Sequence, residues 1–479
     1  MNSFARPAHY RAAIGAFLLV FTYSAHPQSV PTLPLASDLV QHPLPKPIPL
    51  LVSQAVPVYT SDERLIRALG PANLFIVQLD STAKPASVEP VNGFSLFWPT
   101  MEVALRSESF EPKYAGKQVL VRVPAPHDDK AIPGTRMTFD HLPSRTEMDD
   151  LRAQRGMLPC SDTMSTEDLI RQGNRFNSEY RADAQHCFEM TLQRNPDSIA
   201  ALWGLALWGT PQQKAISYRA IFRIRPEFYD ARVDEILNRG NRNAGDAVIE
   251  GLQQLLLVRL PAPTRYEVLK RLTYALHEAG RNEEELPLLD EKTGYELQRT
   301  SLQPERYEDY STVNDVTTLA LRFIGMGRAA IAANMLRVAL EIAGHNPDLY
   351  EKYVVYSLRL DLAYALAAAG RESEAANACK DIRGSSVPRN EINFPSHWQE
   401  RFNWPESAPT EVGSLAIVEL RKQLFCGNPA AALPALQQES IAHPEFVSIH
   451  KILSDYDNAT GKWSDADGEE RLWLRQPAK

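Results

Sequence analysis

The strongest constraint on what this chain can fold into is one pattern of side-chain sizes written twice between Thr318 and Ile382. Ala320, Phe323, Gly327, Ala332, Leu336 and Ala339 are followed, at identical spacing, by Ala363, Leu366, Gly370, Ala375, Cys379 and Ile382. Each set reads as a helix, a glycine turn and a second helix. A small residue and a large apolar one three places on share a helical face; past the glycine, an alanine and a large residue four places on face back. The small residues leave notches, so the two helices can approach closely. Glycine suits the turn because it enters the left-handed backbone region without a Cβ clash.

Weaker versions flank this stretch. Gly173, Phe176, Ala184, Phe188 and Pro196 outline one helix pair, and Gly204, Leu207, Ala215, Phe222 and Pro226 the next; Gly173 to Gly204 and Ala184 to Ala215 are 31 positions and Pro196 to Pro226 is 30. Leu269, Leu272, Leu276 and Gly280, followed by Leu286 and Leu289, give a partial pair in which Thr273 and Glu285 take the small-residue positions. Leu420, Gly427, Ala432, Leu436 and Pro444 give a last one, and a helix from Glu445 to Tyr456 would close the stack. A fixed period of this length marks stacked units that bury a face only against their neighbours.

The small, large, glycine, alanine, large order resembles the tetratricopeptide repeat, tightly at residues 318–382 and in broken form from 165 to 457. The resemblance implies a mainly α fold, an α-solenoid of helix pairs with a groove lined by the first helix of each pair. It points Asn174, Asn177, Leu205, Trp208, Leu321, Ile324 and Tyr364 into that groove. Trp208 and Tyr364 are its best contact candidates, because aromatic side chains dominate binding energy. For Trp208 the alternative is a place in the core between helices. The lysine and arginine partners that hold a peptide carboxylate in one subfamily are missing.

The rest of the chain divides around this stack. Arg6, His9 and Arg11 precede an apolar run from Ala12 to Phe21, with small residues at Ser24 and Ala25, which reads as a secretory signal over residues 1–25. Residues 26–58 carry eight prolines and read as an extended spacer. Residues 59–148 read as a small α+β module. Thr60 and Glu63 have capping-box spacing ahead of Leu65, and Leu74–Leu79, Met101–Leu105 and Gln118–Val123 read as strands, with another short one at Met137–Phe139. Residues 149–457 form the solenoid and 458–479 a polar tail.

Export to an oxidising compartment, most simply a periplasm, fits the four cysteines. Cys160 with Cys187 and Cys379 with Cys426 are the favoured pairings, each joining neighbouring helices; the alternative keeps Cys187 and Cys379 as small buried hydrophobes. A net charge of −8 without a basic stripe argues against nucleic acid as partner. No later segment is apolar for long enough to span a membrane.

Signals for chemistry are sparse. There is no nucleophile elbow, phosphate loop, H-E-x-x-H or C-x-x-C. His277 and Glu278 are half of a zinc motif and read as an exposed helical turn. Glu283, Glu284 and Glu285 read as a solvated face. Asp455, Asp457, Asp465 and Asp467 lack the glycine and glutamate of a calcium loop and read as solvated too. No cofactor or metal is expected. The sequence therefore favours a binding or scaffold protein with a protein or peptide partner. Its rivals are an enzyme acting on envelope glycan or peptidoglycan, with two carboxylates sharing a pocket, and a structural subunit of a secretion or polymer-export assembly.

Overall fold

The computed structural model describes residues 33–66, 73–124, 159–176, 181–239, 245–302, 310–345, 352–384, 411–444 and 448–474. The leader, Asn177, the strand expected at Met137–Phe139 and the last five residues lie outside them. Among the described residues there are nineteen α-helices and one four-stranded sheet.

The chain enters as a one-turn helix α1 (Ala36–Leu39), strand β1 (Leu50–Val52) and helix α2 (Ser61–Leu65), followed by β2 (Asn73–Leu79), β3 (Pro85–Asn92), α3 (Trp98–Ser107) and β4 (Gln118–Val123). The sheet order is β1-β4-β2-β3, with β1 parallel to β4 and the other neighbours antiparallel. The capping box at Thr60 and Glu63 forms as the sequence dictates. Met101–Leu105 is helix, not strand. Pro99 starts α3, and Met101 and Leu105 bury one face four residues apart while Val103 stays exposed, a helical period that five residues alone do not reveal. Strand β3 carries Pro85 and Pro90, which an edge tolerates because no inner partner needs their missing N–H.

Among the described residues, eight helix pairs follow. They are α4 (Thr166–Arg175) with α5 (Arg181–Arg194), α6 (Ile199–Trp208) with α7 (Pro211–Ile224), α8 (Tyr229–Arg239) with α9 (Asp246–Leu256), and α10 (Ala262–Glu278) with α11 (Asn282–Leu302). Then come α12 (Tyr310–Gly325) with α13 (Ala329–His345), α14 (Lys352–Ala368) with α15 (Glu372–Gly384), α16 (Glu411–Cys426) with α17 (Pro429–Ala442), and α18 (Ser448–Ala459) with α19 (Trp463–Leu474). Gly327 and Gly370 adopt φ of 76° and 74°, as the glycine turn requires. Each closes its helix with a Schellman motif: Arg328 N–H reaches back to the Phe323 carbonyl at 2.8 Å, and Arg371 N–H to that of Leu366 at 2.9 Å. Ala320, Ala332, Ala363 and Ala375 are all buried at their crossings.

Residues 463–474, within the tail expected at 458–479, are instead the second helix of the last described pair. Gly461 turns with φ 79°, Lys462 N–H bonds the Asp457 carbonyl at 2.8 Å, and Ser454 and Ala466 fill the notch positions, both buried. Helix α18 packs on α12, three pairs back along the chain, where a Cβ on Gly325 would stand 2.6 Å from the Asn458 carbonyl oxygen.

Nor is the described part of the proline-rich stretch a free spacer. Leu33–Val40 lies against α11, and Leu50–Val52 is built into the sheet. One hydrophobic core runs from Leu65 through the sheet into the first three helix pairs as far as Ala231, so module and stack share an interior. Cys160–Cys187 and Cys379–Cys426 are disulfides, closing stretches of 27 and 47 residues; loops of that size are worth about 3 to 4 kcal/mol in chain-entropy terms.

Candidate functional site

The first-helix positions expected to face a groove are largely covered by the protein itself. Asn174 on α4 donates its side-chain N–H to the Leu65 carbonyl of the module at 2.7 Å. Leu205 is buried, and Trp208 is half-buried against the same core, the position the core reading gave it. Leu321 and Ile324 on α12 are buried within the core of the later pairs. Tyr364 on α14 packs edge-on to Phe425 and against Tyr456. It also lines an open cleft of 530 Å³ with Ala367, Ala376, Phe425 and the Cys379–Cys426 disulfide.

Buried charge also links helices of different pairs. Arg322 on α12 is buried, donates to Glu285 on α11 at 2.7 Å and lies 3.6 Å from Asp467 on α19. His277 on α10 has Glu285 and Asp467 at 3.5 and 3.7 Å from Nδ1 and Glu470 at 3.6 Å from Nε2. Burial pushes its imidazole down, but the Glu285 hydrogen bond and the three carboxylate charges outweigh that and raise its pKa. Glu285 is pushed up by burial, yet ends below the usual carboxylate range because His277 and Arg322 bond and charge-pair with it. Four residues read from the sequence as solvated, His277, Glu285, Asp455 and Asp467, are thus interior or nearly so. The physical reason is pairing: buried charges persist only with counter-charges and hydrogen bonds, and these partners come from helices 34 to 185 residues away.

Two further clusters put carboxylates side by side. Asp361 and Asp455 flank Arg421, at 3.3 and 3.0 Å; burial, with the Asp455 charge adding, holds Asp361 up at about 7 against the pull of Arg421 and Lys451. Glu296 sits by Asp315, raised to about 8 by burial and then by the Asp315 charge, with Lys292 touching Asp315 and 3.8 Å from Glu296. An acid–base pair for hydrolysis must meet substrate. Both of these pairs are closed by their own cations between packed helices. Among the described residues no group of three or more His, Cys, Asp or Glu is arranged to hold a metal ion, and no helix is long and apolar enough to cross a membrane.

A different arrangement holds the N-terminal segment in place. Helix α11 reads the backbone of the N-terminal segment: Leu33 N–H donates to Glu291 at 2.7 Å, and the Ser37 N–H and hydroxyl both donate to Asp290, at 2.9 and 2.6 Å. Arg265 on α10 grips the Glu291 carboxylate with two hydrogen bonds and fixes its orientation. Leu33 inserts among Tyr266, Leu269 and Tyr295, while Ala36 and Val40 join the core beside Leu286 and Leu289.

No protein-family model matches this chain, and neither does any curated protein. Among solved structures it is similar to a monomeric IFIT1 mutant with Gppp-AAAA, at 12% identity and a TM-score of 0.23 over 69% of this chain and 76% of that one. A human IFIT1 dimer with PPP-AAAA gives 14% identity and a TM-score of 0.22 over 68% and 77%. Scores this low do not amount to a shared fold. The helical-repeat architecture stands on this chain's own turns and crossings.

Sequence reasoning placed a closing helix where α18 stands but missed α19, and with it the last pair, and it missed the seated segment. For the former a signal was present: Gly280-Arg281, Gly327-Arg328, Gly370-Arg371 and Gly461-Lys462 all place a base directly after the turning glycine. For the latter only Gly294 hinted, as an isolated glycine inside a helix.

Proposed function

We propose that this protein is an exported helical-repeat scaffold that holds a protein or peptide partner in the cell envelope and carries out no covalent chemistry itself. The observation that carries the reading is the consumption of the buried carboxylates. Buried Glu285, Asp361 and Asp455 are paired with cations of other helices, and buried Glu296 and part-buried Asp315 share Lys292. Two disulfides support an oxidising environment, and a net charge of −8 supports a protein rather than a nucleic-acid partner. The cleft bearing Tyr364 is the contact surface of choice, since it offers an aromatic ring and apolar walls to solvent.

The test uses the full-length chain, because module and stack share a core and are not separable. A photo-crosslinking residue replaces the exposed Ala367 or Ala376, and the chain is irradiated in envelope extract. A discrete adduct from both positions, lost when Tyr364→Ala is added, is the expected result. Adducts of the chain with itself alone would overturn the reading.

A further inference from the structure

Gly294 lies in the interior of α11, where glycine costs about 1 kcal/mol relative to alanine. It does not turn the chain. A Cβ built there would stand 1.9 Å from the Pro34 carbonyl oxygen and 2.7 Å from the Ala36 nitrogen. The glycine therefore makes room for another backbone to lie directly on the helix. Around that point the groove is equipped to read a peptide. Glu291, held by Arg265, takes the N–H of the leucine, and Asp290 takes the N–H and the hydroxyl of the serine. Apolar walls receive Leu33, Ala36 and Val40, all buried. Removing the segment would strip the two acids of three donors, so the groove is complementary to an occupant with that chemistry.

We propose that the groove on α11 is a peptide-binding site, occupied here in cis by Leu33–Val40, that takes from a partner protein a short segment, extended at its leucine and then wound into one helical turn, carrying a leucine, an alanine-serine step and a second apolar residue at the spacing of Leu33, Ala36, Ser37 and Val40. This rests on the scaffold reading and names the partner's chemistry. Recognition is mostly of backbone and one hydroxyl, so the leucine, the small residue and the serine set specificity. The cis segment competes with the partner, and its tether through Pro43, Pro45, Pro47 and Pro49 keeps it at high local concentration.

The experiment frees the groove and offers the segment back. In full-length Ala36→Arg the cis segment no longer seats, because Ala36 is fully buried. A fluorescent peptide of residues 31–43 should then bind saturably, at least tenfold more tightly than to the intact chain. Ser37→Ala in the peptide should weaken binding, and Gly294→Leu in the protein should abolish it. To keep the test independent of the folding of Ala36→Arg, a second protein carries a specific protease sequence inserted between His42 and Lys46, and after cleavage the labelled peptide should exchange in. No saturable binding by a folded Ala36→Arg chain, no exchange after cleavage, or equal binding of a scrambled peptide overturns the proposal. So does concentration-dependent dimerisation of the intact chain that Ala36→Arg abolishes, since the occupant is then a second copy. If the Ala367 and Ala376 crosslinks persist while the peptide fails, the scaffold reading survives and only this site falls.

Discussion

Two neighbouring helix pairs, α10 with α11 and α12 with α13, have the same glycine turn but fill the two notch positions beside it differently. In α12 and α13 these are Ala320 and Ala332; in α10 and α11 they are Thr273 and Glu285. The alanines let helices nest and do nothing else. Thr273 turns its hydroxyl back to the Leu269 carbonyl at 2.9 Å, hiding its polarity, whereas Glu285 meets His277 of its own pair and sends its carboxylate on to Arg322 of the next. The same position in a repeat can serve either packing within a pair or a clamp between pairs. Side-chain length decides which.

The comparison breaks most severely at the clamp. Arg322→Leu leaves Glu285 and Asp467 buried without their guanidinium, and truncating one partner of such a pair costs about 3 to 5 kcal/mol. Denaturant unfolding of the full chain should show it, and a loss near zero would mean the cluster is wet and structurally idle. At the nesting positions, Ala332→Leu should cost about 1 to 3 kcal/mol by overpacking. Ala466→Leu should fall in the same range, because Ala466 occupies the equivalent site in α19 and is buried. A neutral Ala466→Leu would remove the last pair from the repeat series.

The smallest effect is the pH dependence of the clamp, and its sign follows from the shifts. The imidazole of His277 titrates above its ordinary 6.5 when folded, so its contribution is complete below about pH 6.5 and is lost as pH rises through the folded value. Glu285 titrates below its ordinary 4.5, so its contribution is present above that pH and is lost as pH falls through the folded value. Stability of the α19 contact should therefore fall on both sides of mildly acidic pH. His277→Gln should flatten the alkaline limb alone, read by hydrogen exchange in residues 463–474. An unchanged alkaline limb would place the titration elsewhere.

These pairs also mark what a sequence discloses. Ala320, Gly327 and Ala332 announce their roles because the interaction is local: each partner lies within a few turns of the other along the chain. Leu74–Leu79 and Gln118–Val123 are equally plain, apolar strands in the middle of their sheet. Ser37 gives no such notice, since its partner Asp290 is 253 residues away and neither residue carries a pattern. Glu285, Asp455 and Asp467 mislead for a related reason. Acidic runs usually face water, and only the distant arginines reveal that these do not. Of the residues named for the groove, Asn174 meets the Leu65 carbonyl of the module, a partner the repeat pattern does not describe, and Leu321 lies in the core of the later pairs.

The backbone approach of Gly325 to Asn458 and Gly461 has an evolutionary consequence. An ordinary repeat array can gain or drop a unit by unequal recombination, because every unit meets only the next. Here an extra pair inserted anywhere between α13 and α18 would carry Gly461 away from its docking point, so the number of units in that stretch is locked by a contact between its first and last members.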